Sequence, residues 1–140
     1  MTNKFQNFDN ENNLASGFTN FDGDNLDNYL GHEMIEIKEN YVKSKIKVMD
    51  YHKQPMGLVH GGLFSTLAET ICSYGANYLG QGTFVGVNNN TDFLLSVKGG
   101  EIYCIAEPIE IGRSFQLWEC KMYHDEKLCA VSKVRLSKIR

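Results

Sequence analysis

Three features that would each indicate a particular class of protein are missing from the chain. It contains no apolar run of about 18 residues, the length that a membrane-spanning helix needs, so we expect no contact with a membrane. Its net charge is −3, which argues against a nucleic-acid-binding protein that relies on bulk positive charge. Its N-terminal residues contain no apolar signal core, so we expect a cytoplasmic protein.

Closely spaced cysteines are also missing. The four cysteines occupy positions 72, 104, 120 and 129, and no pair has C-x-x-C spacing. This spacing argues against a zinc site and against a disulfide framework, and it favours buried free thiols. We therefore expect no metal and no cofactor.

The chain that remains fits one domain. It has 140 residues, of which 42% are apolar, enough for a single core. Residues 1–22 are rich in Asn, Asp, Phe and Gly without a period, and we interpret them as a polar N-terminal arm. Residues 23–140 carry the periodic patterns of the folded domain.

These patterns predict one long helix among several strands. A short helix is expected over 25–30, ending at Gly31, and Glu39-Asn40 is the expected turn between the first two strands. The long helix is predicted over 60–79. Strands are predicted over 34–38, 41–48, 83–88, 101–108, 114–123 and 128–137. One helix against one antiparallel sheet is an α+β arrangement.

The long helix has a second stripe of small and polar residues in which Glu69 is the only charge. The stripe consists of Gly62, Thr66, Glu69, Ser73 and Asn77. A carboxylate there is expected to be partly desolvated and hydrogen-bonded by Ser73 one turn away. Such a group can act as a nucleophile or a general base. The alternative is an ordinary exposed helical Glu.

Two glycines open the same helix. The first amides of a helix have no internal acceptor and favour negative charge beyond the helix end. Gly61 and Gly62 would let a ligand approach these amides closely, so a carbonyl oxygen that becomes an oxyanion could be held there. Glu69 follows Gly61 by eight residues, about 12 Å of helical rise. If both residues act on one carbonyl group, one of them must come from a second copy, as in a two-fold dimer.

The segment from Gln54 to Ser73 resembles the hotdog-fold acyl-CoA thioesterases that use a helical Glu. Gln54, Gly61, Glu69 and Ser73 match that pattern. The resemblance covers roughly residues 30–138 and is closest to the branch that hydrolyses 1,4-dihydroxy-2-naphthoyl-CoA in menaquinone biosynthesis, whose sister enzyme clears mischarged aryl carrier protein. It implies an antiparallel sheet wrapped around one long central helix, and a homo-oligomer with a catalytic dimer, expected to pair into a tetramer.

The resemblance also implies a role for each matching residue. Gly61 N–H would polarise the thioester carbonyl, and Gln54 would help to position it. Glu69 from the facing subunit would attack the carbonyl or activate water, and Ser73 would orient Glu69 or that water. His60 would shape the site; the alternative is a loop residue without a chemical role.

Substrate contacts are expected in the loop and in later strands. The candidates are Gly62, Gly86, Phe93, Leu95, Ser96, Gly112, Arg113 and Ser114. Phe93 and Leu95 depart from the nearest relatives, which carry His and Arg at these positions. Arg113 or Lys98 would then supply positive charge to the nucleotide, or both are solvated surface cations.

Other activities of the same fold fit less well. The His-containing loop of the dehydratases is absent. Acyl-CoA-sensing repressors need an added DNA-binding domain, whereas residues 1–30 are short and contain one Lys against five Asp or Glu. A non-catalytic acyl-CoA-binding module remains an alternative, as does a thioesterase for acyl carrier protein or for medium-chain acyl-CoA.

Overall fold

A computed structural model describes residues 23–78 and 82–139 of the chain. The predicted arm 1–22 and the predicted end of the long helix at Leu79 lie outside these residues. The helices are α1 (Leu26–Leu30) and α2 (Gly61–Asn77), and a single 3-10 turn spans Asp50–His52. The strands are β1 (Glu33–Lys38), β2 (Tyr41–Lys47), β3 (Phe84–Phe93), β4 (Glu101–Ile111), β5 (Phe115–His124) and β6 (Lys127–Lys138).

The six strands form one antiparallel sheet in the order β1-β2-β4-β5-β6-β3. The strands alternate buried and exposed residues because successive side chains point to opposite faces of the sheet. The buried face packs on α2, which contributes Leu67, Ala68, Ile71 and Cys72 to the core. The predicted α+β arrangement, one long helix held by an antiparallel sheet, is confirmed.

Helix α2 approaches the sheet closely at Gly75. A methyl group placed on this residue would lie 2.5 Å from the Trp118 ring, well inside van der Waals contact. Trp118 is 1% exposed, and its indole N–H donates to the Gln116 side-chain oxygen at 2.7 Å. Glycine at position 75 therefore sets the distance between α2 and β5.

Two strands extend by three or more residues beyond their predicted ends. β3 continues to Phe93 instead of ending at Asn88, because its backbone pairs with β6 while its side chains there are mostly polar. Apolar alternation does not detect such a strand. β4 passes Pro108 through an irregularity between Pro108 and Glu110 and ends at Ile111. The proline is tolerated at this break in the ladder.

The predicted turns and free thiols are confirmed. Gly31 ends α1 at φ 85°, and Asn40 takes φ 64° in the turn between β1 and β2. Asp125 and Glu126 form the turn between β5 and β6, also with positive φ. All four cysteines are buried and free, and burial raises the pKa of the Cys129 thiol to about 11.

Candidate active site

The N-terminus of α2 is organised by His60. His60 is the N-cap, and its Nδ1 accepts a hydrogen bond from Gly62 N–H at 2.8 Å. Gly62 N–H is thereby occupied within the loop. Gly61 N–H has no hydrogen-bond acceptor among residues 23–78 and 82–139. The helix end therefore offers the Gly61 amide to a ligand, and His60 has at least a structural role.

The Gly61 amide lies beside a cavity of about 290 Å³. The cavity brings together five of the predicted site residues: Gln54, Gly61, Phe93, Leu95 and Ser96. It is also lined by Phe64, by Leu94 of the predicted substrate segment 93–96, and by three residues without a predicted site role, Leu58, Val59 and Val97. Apolar residues at these positions look like ordinary core or surface residues in the sequence. None of the lining residues carries a charge, so this cavity suits an uncharged, largely apolar group.

Gln54 is held at the cavity by its own loop. Its backbone N–H donates to Leu58 O at 2.8 Å, and its carbonyl accepts from Gly57 N–H at 2.9 Å. The side-chain oxygen of Gln54 accepts a hydrogen bond from Met56 N–H. The side-chain NH₂ group remains as a donor, which fits the predicted positioning of a carbonyl group.

The Phe93 ring covers Gly61. A methyl group on Gly61 would lie 2.7 Å from the tip of this ring, so residue 61 must be glycine for Phe93 to keep its place. The ring also contacts the buried Phe64, with ring centroids 6.2 Å apart. Phe93 is nevertheless 58% exposed, so one side of the ring rests on the protein and the other faces outward.

Glu69 lies elsewhere, and its predicted surroundings are wrong for the single chain. Its carboxylate is exposed, not partly desolvated, and within the described part of the chain it makes no hydrogen bond with Ser73. Helical side chains lean toward the N-terminus of their helix, away from the residue one turn later. The Glu69 side chain instead covers Gly86 of β3, where a methyl group would lie 3.3 Å from its carboxyl carbon.

Asn77, the last residue of the predicted stripe of small and polar residues, does not face the solvent. It is fully buried, and its amide oxygen accepts from Phe84 N–H at 2.8 Å. Its NH₂ group donates to Phe84 O at 2.9 Å and to Ser73 O at 2.7 Å. Asn77 is therefore a structural residue that fastens the start of β3 to the end of α2.

The segment 112–114, which is predicted to contact the nucleotide of the coenzyme, lies away from the Gln54–Gly61 cavity. Gly112, Arg113 and Ser114 form the exposed turn between β4 and β5, where Gly112 N–H donates to Phe115 O at 2.9 Å. The preceding Ile111 shares a small cavity of about 100 Å³ with Tyr78 at the C-terminal end of α2. Within one chain, this turn and Gly86 are therefore separated from the Gln54–Gly61 cavity.

The aromatic and sulfur-containing residues near the helix divide between site and core. Phe64 lines the cavity, whereas Met56 is 82% exposed and does not. Tyr74 is packed against the core, and burial followed by the charge of Asp27 raises its pKa.

No helix among the described residues is long and apolar enough to cross a membrane. The same residues contain no cluster of three metal-ligating side chains.

The chain is similar to one protein family and to several named proteins. Residues 56–130 match the family described as the thioesterase superfamily. A Haemophilus influenzae relative is 38% identical over 114 residues, which are 79% of this chain and 83% of the relative. A Listeria monocytogenes relative named 1,4-dihydroxy-2-naphthoyl-CoA hydrolase is 30% identical over 115 residues, covering 80% of this chain and 94% of that one.

Solved structures agree with the fold. The crystal structure of a Haemophilus influenzae thioesterase superposes with a TM-score of 0.80 at 32% identity, covering 91% of this chain and 95% of that chain. An antiparallel sheet around one long helix is the hotdog fold. The chain belongs to the thioesterase superfamily and is a thioester hydrolase.

Proposed function

We propose that the protein hydrolyses an acyl-CoA thioester in a site that two copies of the chain share. The observation that carries this proposal is the course of β3 along α2. Phe84 contacts Asn77, Gly86 lies under Glu69, and Phe93 covers Gly61. Strand β3 therefore runs antiparallel to α2, and its two ends mark the two incomplete halves of the site.

Strand β3 is also an edge of the sheet. It pairs with β6 on one side and with no other described strand on the other side. Val85 and Val87 are exposed on this strand, at 39% and 57%. An edge of ten residues with unpaired backbone groups is a template for a strand from another chain. A second copy of this protein supplies such a strand.

Antiparallel pairing of β3 with its own copy completes the site. A two-fold axis between Asn89 and Asn90 places Gly86 of one chain opposite Phe93 of the other. Glu69 of the partner subunit then comes to the Gly61 end of the first helix, and the same symmetry builds a second site. Ser73 and the turn with Gly112, Arg113 and Ser114 approach from the partner too. The exposed Glu69 carboxylate would thus become desolvated only in the dimer.

The residues would then divide the chemistry between the subunits. Gly61 N–H and the Gln54 amide hold the thioester carbonyl oxygen and stabilise its negative charge as the carbonyl carbon is attacked. Glu69 of the partner subunit removes a proton from water, whose oxygen attacks that carbon; alternatively the carboxylate attacks directly and water cleaves the anhydride. The carbon–sulfur bond breaks, and coenzyme A leaves as the thiol.

An aromatic acyl group is the substrate that we favour, with 1,4-dihydroxy-2-naphthoyl-CoA as the leading candidate. The support is the resemblance of the Gln54–Ser73 segment, the Listeria relative of that name, and the uncharged cavity with Phe64 and Phe93 in its lining. Activity in menaquinone biosynthesis, a cytoplasmic location and a tetramer built from two dimers belong to the same proposal. Arg113 and Ser114 would face the coenzyme.

A hydrolysis panel tests this function. The purified protein is offered aryl, short-chain and long-chain acyl-CoA thioesters, together with acyl groups on an acyl carrier protein, and release of the thiol is followed. We expect the highest kcat/KM for the aryl-CoA thioesters. A clear preference for palmitoyl-CoA would overturn the aryl proposal, and binding without release of thiol would favour the non-catalytic module.

A further inference from the structure

We infer that Phe93 selects aromatic acyl groups, by packing the exposed side of its ring against the substituent of the carbonyl bound at Gly61. The inference rests on the proposed thioester site and names the residue that would give this site its acyl preference. It begins from the contact between the Phe93 ring and Gly61, where an added methyl group would lie 2.7 Å from the ring tip.

This contact places the ring beside the reacting group. A carbonyl oxygen that accepts a hydrogen bond from Gly61 N–H lies about 3 Å from that nitrogen. The acyl substituent is attached to the same carbonyl carbon, one bond further away. In the proposed site the acyl substituent, and not the sulfur, enters the uncharged cavity, so its first atoms pass close to the residue that lines this cavity and covers Gly61. Phe93 is that residue.

The Phe93 ring is held in place, but it is not buried in the core. Its inner side rests on Gly61 and on Phe64, which is 3% exposed. Leu94 N–H and Leu95 N–H both donate to Cys129 O, at 2.8 and 3.1 Å, which fixes the backbone directly after Phe93. More than half of the residue's surface stays exposed. An anchored ring loses little conformational freedom when a substrate ring packs on it.

Pairing of two aromatic rings would give a preference for an aromatic acyl group over a saturated one of the same size. Two aromatic rings in offset or edge-to-face contact are stabilised beyond the effect of the area they bury. A saturated ring of similar size buries similar area but lacks this added attraction. Benzoyl-CoA and cyclohexanecarbonyl-CoA are therefore matched probes that differ mainly in aromatic character.

The test compares these two probes in Phe93 variants. In Phe93→Leu, the benzoyl to cyclohexanecarbonyl ratio of kcat/KM should fall about three- to tenfold from the wild-type ratio, the factor that aromatic pairing supplies. Phe93→Tyr, which keeps the ring, should retain the wild-type ratio. Dividing each variant's ratio by that of the wild type cancels the different intrinsic reactivity of the two thioesters.

A remote variant and a binding assay complete the design. Leu26→Ala removes a side chain that is 57% exposed, close to the 58% of Phe93, from a helix outside the cavity, and it should leave the ratio unchanged. Calorimetry then measures the Kd of inert analogues in which a CH₂ group separates carbonyl and sulfur. A three- to tenfold fall in the benzoyl-type preference is expected here too, since binding does not require hydrolysis.

The outcomes separate this inference from the proposed function. If the wild type hydrolyses neither thioester but Phe93→Leu still shifts the Kd ratio, the aromatic contact stands and hydrolysis of these acyl groups fails. If Phe93→Leu lowers both probes equally, or changes neither, Phe93 has only a structural role and the inference is overturned. Failure of both analogues to bind any variant overturns it as well.

Discussion

The two halves of helix α2 differ in how their candidate site residues are held. The N-terminal half begins beside a formed cavity, where Gln54, Gly61 and Phe93 are held in place by loop hydrogen bonds and ring contacts. Further along, the exposed Glu69 packs on Gly86. The candidate oxyanion site is thus preformed in one chain, whereas the carboxylate lies away from it. In the proposed dimer, a partner chain would bring its own Glu69 to this site, and the following experiments test that proposal.

The largest fall in kcat is expected for a substitution of the exposed Glu69. Glu69→Gln keeps the shape of the side chain and removes its ability to attack or to accept a proton, so kcat should fall by at least ~10²-fold. Gln has nearly the same size and keeps the packing of this side chain on Gly86, so thermal unfolding should be almost unchanged. A Glu69→Gln protein with near wild-type kcat would mean that the carboxylate is an ordinary surface group.

The proposed shared site leads to a second prediction, which concerns two variants that are each impaired on their own. A Glu69→Gln chain is mixed with a Gln54→Ala chain after mild dissociation. One site of each heterodimer combines both lesions, and the other contains wild-type Gln54, Gly61 and Glu69. Each heterodimer should therefore recover about half of the wild-type activity, by the symmetry of a two-fold interface.

This mixing experiment needs two controls. Mass spectrometry must show that subunits exchange, and Gln54→Ala alone must be clearly impaired. If heterodimers form and activity does not return, the two halves do not act on one carbonyl group, and Gly61 would be no more than the first residue of a capped helix.

Gly75→Ala tests the packed end of α2, far from the cavity. The added methyl group would lie 2.5 Å from the Trp118 ring, so the helix or the ring must move. Overpacking of this kind costs about 1–3 kcal/mol in the free energy of unfolding. Urea denaturation measures it, and Gly99→Ala is the matched control because its methyl group would meet nothing within 4 Å. Equal stability of the two variants would contradict the close approach.

The smallest effect is expected for the helix cap. His60→Ala removes the side-chain acceptor of Gly62 N–H and should cost about 0.5–2 kcal/mol of stability. Replacement by Asn, another good N-cap residue, should restore most of this stability. If His60→Asn restores stability but not kcat, His60 also contributes to the chemistry; if it restores both, the cap is its whole role.

The sequence predicted the fold better than the surroundings of the site. Apolar periodicity located α2 and most strands, and Gly31 marked the end of α1. The last residues of β3 were missed, because an edge strand with Asn and Thr side chains has no apolar alternation. The stripe of small and polar residues did not reveal that Asn77 is buried, with its side chain satisfying the backbone of Phe84. Periodicity describes the face of a helix, but not which neighbours need hydrogen bonds.

The sequence alone also determined that Gly61 and Glu69 are too far apart to meet in one chain, because the rise of an α-helix is constant. Tertiary structure decided how they could meet. The antiparallel course of β3 along α2, with Gly86 under Glu69 and Phe93 over Gly61, follows from backbone pairing and close packing between residues distant in the chain. Such contacts leave no local pattern, so only the folded chain shows that one exposed strand runs past both Glu69 and Gly61.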